Sequence, residues 1–518
     1  MSSKVPVTIE PANIVLSVVP GITVAEAIIA AKLPFGLPCG GRGTCGGCAV
    51  KVITGSLSPP DVVEQAKLVR APQGIRLACR ARVTGPVTLR LPFAPPSSPR
   101  PLAHAPEALA SVLAVDLGTT TVKVALASAA PGSQHITAAV RNRQSRYGAD
   151  VLSRLSAANE GHAAQLRLDI QQSVSEAYQS LSASENGLAD RIHRVVVVGN
   201  PVMLSLYCGQ KPSHTGSSRP PQPLVTNKQS GPSELGVQCN PFGDKAETIF
   251  IPGVAGHVGG DLLAGLLMLG PTLSEPFIYV DIGTNSEIAV HDSSHIHVAS
   301  VPAGPVFEGA GISSGGPFGP GAITKVGLKD GRIEVDVEGD GDPDRFCGSG
   351  LISLILALRS SGHIDESGRM WASGPLRSHF ADVDGQPVFS IAPSGLGPWL
   401  TQSDVRAFQT AKAAILAAIR TMLSAADHKP DRLIVSGTFG GAVSAEELRE
   451  LGVVPADLRQ VDVIADAALL GAVRIAQAPQ TITRLDALRA LALHHELPQA
   501  DEFTAQYIAA MKLSPSTG

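Results

Sequence analysis

The segment SVLAVDLGTTTVKVALA, residues 111–127, decides the fold of the longest part of this chain. It reads as an apolar strand that ends at Asp116, a Gly-Thr-Thr turn and a second apolar strand. The segment PFIYVDIGTNSEIAVHD, residues 276–292, repeats this layout with Asp281 and a Gly-Thr-Asn turn. Two copies of one strand–turn–strand unit in a single chain predict an internal duplication.

Both turns are predicted to bind the phosphates of a nucleotide. Glycines and hydroxyl side chains in a tight hairpin present N–H and O–H donors to phosphate oxygens. The expected phosphate-binding residues are Gly118, Thr119, Thr120, Gly283, Thr284 and Asn285. Asp116 and Asp281 are the catalytic candidates, because a carboxylate at a strand end can hold Mg²⁺ through its waters or orient an attacking water. The chain has no G-x-x-x-x-G-K-[ST] sequence, which excludes a P-loop protein.

A third glycine-rich element is DRLIVSGTFGGAV, residues 431–443. It predicts a strand that runs into Gly437, Thr438, Phe439, Gly440 and Gly441. Glycine allows the backbone to approach a flat ligand such as adenine. An ordinary strand-to-helix turn explains the same residues equally well.

Four cysteines in the N-terminal part predict an iron–sulfur site. Cys39, Cys45 and Cys48 lie in LPCGGRGTCGGCAVKV, residues 37–52, and Cys79 follows in IRLACRARV. Three close thiols and one distant thiol can hold a [2Fe–2S] cluster, and plant-type ferredoxins use C-x4-C-x2-C…C, one residue tighter in the first gap. Zinc is the first alternative, although four-cysteine zinc sites usually come as two C-x2-C pairs. Thiols without a metal are the second.

The order of the remaining elements predicts the domains. Strand, strand and helix before the cysteines, and further strands after them, indicate a ferredoxin-like β-grasp domain at 1–92. The proline-rich residues 93–111 are a predicted linker, followed by one lobe at 112–270 and a second at 271–480. Helices at 481–518 are expected to pack on the first lobe. A T-x-x-D capping box at Thr401 predicts the start of a helix over 401–426.

Together these motifs resemble a known family. Two Asp-x-Gly-Thr hairpins followed by a glycine-rich adenosine motif look like the acetate and sugar kinase, Hsp70 and actin superfamily. A [2Fe–2S] domain fused ahead of it is similar to the reductive activators of corrinoid proteins. The stretches YGADVLSRL (147–155), VVVVGNPVM (195–203) and PAGPVFEGAGI (302–312) also resemble that family, as do FCGSGLIS (346–353) and TQSDVRAFQTAKAAI (401–415). The expected fold is therefore an α+β ferredoxin-like β-grasp domain followed by a two-lobed α/β ATPase.

The resemblance implies ATP-dependent electron donation that reduces a corrinoid protein from Co(II) to Co(I). It implies a [2Fe–2S] cluster, ATP and Mg²⁺ as cofactors, and a corrinoid protein of a methyltransferase system and an upstream reductant as partners. It also implies that the polar face of the 401–426 helix, with Gln409 and Lys412, approaches the nucleotide. The alternatives are an activator of another low-potential metalloenzyme, a non-redox ATP-dependent chaperone with a structural cluster, and a kinase of a small metabolite.

Two features depart from that family. Its members usually carry an extra middle segment, whereas Cys79 and Asp116 leave room here for a linker only. The second hairpin has Ser286 where a glycine is expected, a change that the hairpin should tolerate.

Composition limits the function classes. The chain has 518 residues, 44% hydrophobic residues and a net charge of −4, with no basic tract, so nucleic acid is not an expected partner. The N-terminus lacks the pattern of a signal peptide, and no window has the apolar length of a membrane span. Seven cysteines at low density indicate a reducing, cytoplasmic location. A homodimer is left open.

Overall fold

Sheets of five, six and six strands frame the described part of the chain, and two three-stranded sheets are attached to them. The computed structural model describes residues 4–10, 13–31, 33, 35, 37, 41–43, 48–68, 74–91, 111–133, 135–182, 191–210, 225–226, 246–269, 275–329, 331–339, 341–383, 385–393, 397–437, 439, 443–497 and 501–516. Residues 93–110 of the predicted linker, Cys39 and Cys45 lie outside these residues, as do Thr438, Gly440 and Gly441. Ser111, the last residue of the predicted linker, already belongs to a strand.

The N-terminal domain is a five-stranded mixed sheet with two helices. Its elements are β1 (Val5–Glu10), β2 (Ile14–Val18), α1 (Val24–Ala30), β3 (Ala49–Leu57), α2 (Val62–Leu68), β4 (Ile75–Leu77) and β5 (Val83–Arg90). The strand order is β2-β1-β5-β3-β4, and the first and last strands pair in parallel at the centre. Helix α1 starts with a Thr23/Glu26 capping box and buries Val24 and Ile28. The predicted β-grasp arrangement is confirmed.

The first lobe is built on a six-stranded sheet. It contains β6 (Ser111–Leu117), β7 (Thr121–Ser128), β8 (His135–Arg141), α3 (Val151–Ala157), α4 (Ala163–Ser182), β9 (Ile192–Gly199), α5 (Pro201–Tyr207), β10 (Val225–Thr226), β11 (Glu247–Phe250) and α6 (Gly260–Leu267). A 3-10 turn at Arg143–Tyr147 connects β8 to α3. The strand order is β10-β11-β9-β6-β7-β8.

The second lobe carries the other six-stranded sheet and both small sheets. Its strands are β12 (Phe277–Ile282), β13 (Asn285–His291), β14 (Ile296–Pro302), β15 (Ala322–Lys329), β16 (Arg332–Val337), β17 (Arg345–Phe346), β18 (Phe380–Val383), β19 (Gln386–Ser390), β20 (Trp399–Thr401), β21 (Arg432–Gly437), β22 (Gln460–Ala465) and β23 (Ala492–His494). Its helices are α7 (Gly348–Ser360), α8 (Gln402–Ala425), α9 (Ala445–Glu450), α10 (Ala467–Gln477), α11 (Ile482–Ala490) and α12 (Asp501–Ala509), with a 3-10 turn at Pro305–Glu308.

The two lobes repeat one topology, as the duplicated hairpins predict. In the first lobe the order β11-β9-β6-β7-β8 runs through two parallel and then two antiparallel pairings. In the second lobe β22-β21-β12-β13-β14 follows the same order with the same directions. Asp116 and Asp281 therefore occupy equivalent places, each near the end of a central strand.

Helix α10 joins the lobes. It follows β22 of the second lobe but packs against β6, β9 and α6 of the first. Its buried residues Ala472 and Ile475 share one apolar cluster with Val112 and Val196 of the first-lobe sheet. The start of α10 thereby lies at the floor of the cleft between the lobes.

Helix α8 confirms one prediction and corrects another. Thr401 and Asp404 form the predicted capping box at its start. Gln409 and Lys412 do not approach the hairpins, however: the Gln409 amide donates to the carbonyl oxygen of Met511 at 2.7 Å, and the Lys412 ammonium donates to that of Gly452 at 3.2 Å. These buried side chains hold the C-terminal segment instead of a nucleotide.

The C-terminal helices divide between the lobes. Helix α11 places Leu485 and Leu488 in the cluster that includes α6. Helix α12 packs on α8 of the second lobe, where Ala510 meets Ala413 and Leu416. The expectation that these helices pack on the first lobe is therefore wrong for α12. No helix within the described ranges is long and apolar enough to cross a membrane.

Candidate functional site

The tips of the two hairpins face each other across a cavity of about 80 Å³. Nine of the predicted catalytic and phosphate-binding residues line it, namely Asp116, Gly118, Thr119, Thr120, Asp281, Gly283, Thr284, Asn285 and Gly437. Small-molecule sites usually measure about 300–1,000 Å³. This cavity is smaller than that range, and it brings the predicted residues together.

Carboxylates crowd this cavity. Asp261, Glu287 and Glu308 line it together with Asp116 and Asp281. Loss of water around the carboxylate, opposed by Lys123 and reinforced by the other acids, raises the pKa of Asp116 to about 7. The same desolvation, again opposed by Lys123, raises the pKa of Asp281 to about 6. Acids are the residue type that holds Mg²⁺ through its waters, although no three of the described His, Cys, Asp or Glu side chains are placed to hold a metal ion directly.

Lys123 supplies positive charge to this cavity. Its ammonium lies 2.5 Å from a carboxylate oxygen of Asp466, at the start of α10. Burial alone would lower the pKa of Lys123, but Asp466 and Asp116 raise it above its usual value. Asp466 has a φ of 53°, a left-handed conformation that costs free energy in a residue other than glycine. This ion pair ties β7 of the first lobe to the second-lobe segment that enters the floor of the cleft.

Three side chains hold the first hairpin from behind. The Asn142 amide donates to the carbonyl oxygen of Gly118 at 2.9 Å, and the Asn200 amide donates to the hydroxyl of Thr119 at 3.2 Å. The fully buried Arg154 guanidinium donates to the carbonyl oxygen of Thr119. The stretches 147–155 and 195–203 thus meet at this turn.

The second hairpin is held by its own residues and by Glu308. Ser286 is fully buried, and its hydroxyl donates to the carbonyl oxygen of Gly283 at 3.3 Å, so the serine fits the turn as predicted. The Thr284 N–H and hydroxyl both donate to one oxygen of Glu308, each at 2.9 Å. The Thr284 and Thr120 hydroxyls are 2.6 Å apart, which joins the two tips directly.

Gly437 and Phe439 of the predicted adenosine motif have different roles. Gly437 lines the cavity with a φ of 148°, and a Cβ there would lie 2.4 Å from the carbonyl oxygen of Ile282. Phe439 is 4% exposed and packs edge-on against Phe307. Its ring therefore belongs to the core and is not available to a ligand.

Two of the four predicted cluster ligands are described, and they lie together. The sulfurs of Cys48 and Cys79 are 3.3 Å apart, too far for a disulfide bond of about 2.05 Å. Two thiolates on one tetrahedral metal ion lie about 3.8 Å apart, since each metal–sulfur bond is about 2.3 Å. Gly41 and Gly43 adopt positive φ values of 81° and 79° in the loop beside them. The two sulfurs and the glycine loop therefore fit a site in which both cysteines bind the same metal ion of a cluster.

The turn that carries Cys79 is fixed by a buried acid. Glu64 of α2 is 1% exposed and accepts two hydrogen bonds from Arg76 at 2.9 Å. It also accepts the N–H of Leu77 at 2.7 Å. Arg80, next to Cys79, pairs with Asp61 at the start of α2. These contacts anchor the turn to α2 and so set the place of the Cys79 sulfur.

Family comparisons match most of the chain. Residues 7–84 match the 2Fe-2S iron-sulfur cluster binding domain, residues 111–272 the RACo middle region, and residues 275–517 the C-terminal domain of RACo, the ASKHA domain. A solved structure titled "Reductive activator for corrinoid,iron-sulfur protein" aligns over 98% of both chains with a TM-score of 0.69 and 22% identity. The chain belongs to the RACo family.

Two curated relatives of this chain have names that state their functions. The corrinoid activation enzyme RamQ of Eubacterium limosum is 31% identical over 66% of this chain and 60% of its own. The Co(II) methylated amine-specific corrinoid protein reductase of Methanosarcina barkeri is 29% identical over 52% of this chain and 53% of its own. The matches thus span between half and two thirds of the relatives' lengths.

The RACo models correct one expectation. The sequence predicts that the family's middle segment is missing, but the middle-region model matches residues 111–272, the first lobe. The middle region is therefore present, and it contains the first hairpin. The predicted fold, a ferredoxin-like domain followed by an ASKHA domain, is confirmed.

Sequence reasoning missed several residues of this RACo-family site. They are Lys123, Asn142, Arg154, Asn200, Asp261, Glu287, Glu308 and Asp466. Arg154, Asn200 and Glu308 lie in stretches that carry the family resemblance, so that resemblance was the available signal. No sequence signal pointed to Asp466, because its partner Lys123 is 343 positions away in the chain.

Proposed function

We propose that this protein is an ATP-dependent activator that reduces the Co(II) of a corrinoid protein to Co(I). The observation that carries the proposal is the union, in one chain, of a cysteine pair suited to a [2Fe–2S] cluster and a two-hairpin nucleotide cleft. The functions of the two curated relatives, as their names state them, support a corrinoid protein as the substrate. A methyltransferase system as the source of the partner, a separate upstream reductant and a cytoplasmic location complete the proposal.

The bound cluster would supply one electron at the roughly −400 mV typical of plant-type ferredoxins. For a one-electron step, each ~59 mV uphill costs a factor of ten in the equilibrium constant. A target of lower potential is therefore reduced only in small yield unless another free energy is coupled to the step. A nucleotide provides that coupling when it binds one state of the complex more tightly than the other.

Asp116 and Asp281 are the proposed holders of Mg²⁺ and of the attacking water. Their support is their matched position near the ends of the two central strands, where both line the cavity. Gly118, Thr119 and Thr120 on one side, and Gly283, Thr284 and Asn285 on the other, are the proposed phosphate ligands. Gly437 would lie beside the adenosine.

A chain of hydrogen bonds connects the first hairpin to the cysteine loop. Asn142 bonds Gly118 through its side chain and Thr120 through its N–H, the latter at 2.8 Å. The Ser145 N–H donates to the Asn142 carbonyl oxygen at 3.0 Å, and the Ser145 carbonyl oxygen accepts the N–H of Leu37 at 3.1 Å. Leu37 precedes Cys39 by two positions. A shift of the hairpin on phosphate binding would thus be transmitted to the loop.

The test is anaerobic stopped-flow spectroscopy of the reduced protein with a Co(II) corrinoid protein, with and without Mg-ATP. Co(I) should form to a large extent only with Mg-ATP, and the Asp116→Ala variant should lose that dependence while its visible cluster spectrum is unchanged. Equal Co(I) yields with and without nucleotide would refute the proposal. Reversible potentiometry of the cluster separates an electron donor from a chaperone with a structural cluster.

A further inference from the structure

Glu308 lies where an anion would bind the second hairpin. One of its carboxylate oxygens accepts both the N–H and the hydroxyl of Thr284, at 2.9 Å each. A Cβ built on Gly283 would lie 3.7 Å from the same oxygen, so the carboxylate covers the glycine of the turn. Main-chain N–H groups at such turns are the donors that phosphate oxygens use.

The hydroxyl network extends this contact to the first hairpin. A hydroxyl has one proton, and that of Thr284 is donated to Glu308. The Thr120 hydroxyl lies 2.6 Å from that of Thr284, and the Thr120 side chain also hydrogen-bonds the Glu308 carboxylate. Glu308, Thr284 and Thr120 therefore form one continuous network that joins the tips of the two hairpins.

Glu308 sits on a short segment with fixed ends. The 3-10 turn Pro305–Glu308 is flanked by Gly304 and Gly309, with φ values of 80° and 74°. The Gly304 N–H donates to the Thr284 carbonyl oxygen at 2.8 Å, and a Cβ on Gly309 would lie 2.3 Å from the Gly316 carbonyl oxygen. The backbone under Glu308 is thus tied to the hairpin, and the movable part is the side chain.

We propose that Glu308 is a built-in competitor of the nucleotide, whose carboxylate takes the place of a terminal-phosphate oxygen on the second hairpin until ATP displaces it. This inference rests on the proposed nucleotide site and adds a means of regulation to it. ADP, which lacks the terminal phosphate, would leave the contact between Glu308 and Thr284 in place. The contact between Glu308 and Thr284 is then broken by ATP and kept with ADP.

The test compares the equilibrium dissociation constants of Mg-AMPPNP and Mg-ADP for the full chain and its variants by calorimetry. Glu308→Gln keeps an oxygen that can accept from Thr284 but removes the charge that competes with phosphate, and Glu308→Ala removes the contact. Mg-AMPPNP should bind at least fivefold more tightly to both variants, whereas the affinity for Mg-ADP should change less than twofold. Glu334→Gln, which removes an exposed carboxylate of β16, is the matched control and should change neither affinity.

Each other outcome overturns the inference in a recognisable way. Weaker Mg-AMPPNP binding by Glu308→Gln would make Glu308 a ligand of the bound nucleotide's metal. An equal gain for both nucleotides would indicate general electrostatics and not a phosphate position. Unchanged affinities with lost hydrolysis would make Glu308 a group that acts on water. Failure of wild type and variants alike to bind either nucleotide would instead refute the proposed function, and the inference with it.

Discussion

Replacing Asn142 with alanine should weaken the connection between the nucleotide hairpin and the cysteine loop, because it removes the side-chain contact to Gly118 and leaves only the main-chain bonds to Thr120 and Ser145. The Asn142 side chain is fully buried, donates to the Gly118 carbonyl oxygen at 2.9 Å and accepts the Gln144 N–H at 3.0 Å. A hydrogen bond contributes about 1 kcal/mol net, and each buried partner left unsatisfied costs about 1–3 kcal/mol. The free energy of unfolding should therefore fall by about 2–4 kcal/mol.

The functional effect should exceed what this loss of stability explains. In the wild type, Mg-AMPPNP should change amide hydrogen exchange in the peptide that contains Leu37, because the Leu37 N–H bonds to Ser145. In Asn142→Ala that response should be smaller even at saturating nucleotide. Gln171→Ala is the matched control: the Gln171 amide donates to the Tyr207 carbonyl oxygen at 3.2 Å in the same lobe.

The measurement is hydrogen–deuterium exchange by mass spectrometry, with nucleotide affinity determined in parallel. The control should keep the nucleotide response of the Leu37 peptide despite its own loss of a hydrogen bond. If Asn142→Ala is destabilised as expected but retains the full exchange response at saturating nucleotide, the connection does not run through Asn142, and the reasoning fails.

The remaining predictions concern the cluster, the acids and a buried lysine. Cys45→Ser, like the matched Cys48→Ser, should lose the two irons and the brown colour after anaerobic purification while the ATPase part still melts cooperatively; full zinc occupancy with ample iron present would contradict the cluster. Asp116→Ala and Asp281→Ala should each lower Mg-ATP turnover at least tenfold with an unchanged cluster spectrum, and two variants as active as wild type would make the hairpins purely structural. Burial lowers the pKa of Lys412 to about 7 from 10.5, so between these values the unfolded chain binds more protons and stability rises with pH. From pH 7 to 9 the free energy of unfolding, measured in urea, should rise by about 2 kcal/mol in the wild type, and this rise should vanish in Lys412→Met; the same slope in both proteins would assign the titration elsewhere.

The parts of the site that could be predicted from the sequence are those whose residues lie close together in the chain. The hairpin residues from Gly118 to Thr120 and their second-lobe counterparts were found because strand, turn and strand are contiguous. The capping box at Thr401 was found for the same reason, since its partners are three positions apart. Glu308 and Asp466 depend on contacts between distant segments, which no local pattern fixes. Phe439 was assigned to the ligand because a glycine-rich turn does not show that its ring packs on Phe307.

Helix α10 has a consequence for how this chain can be divided. The family models place a boundary between residues 272 and 275, between the middle region and the ASKHA domain. Yet α10, encoded nearly 200 residues later, completes the apolar cluster under the first-lobe sheet, where Val112 and Val196 meet Ala472 and Ile475. A fragment cut at that boundary would leave an apolar sheet face in water on one side and a bare helix on the other. The boundary between the two family models therefore lies inside a single folding unit.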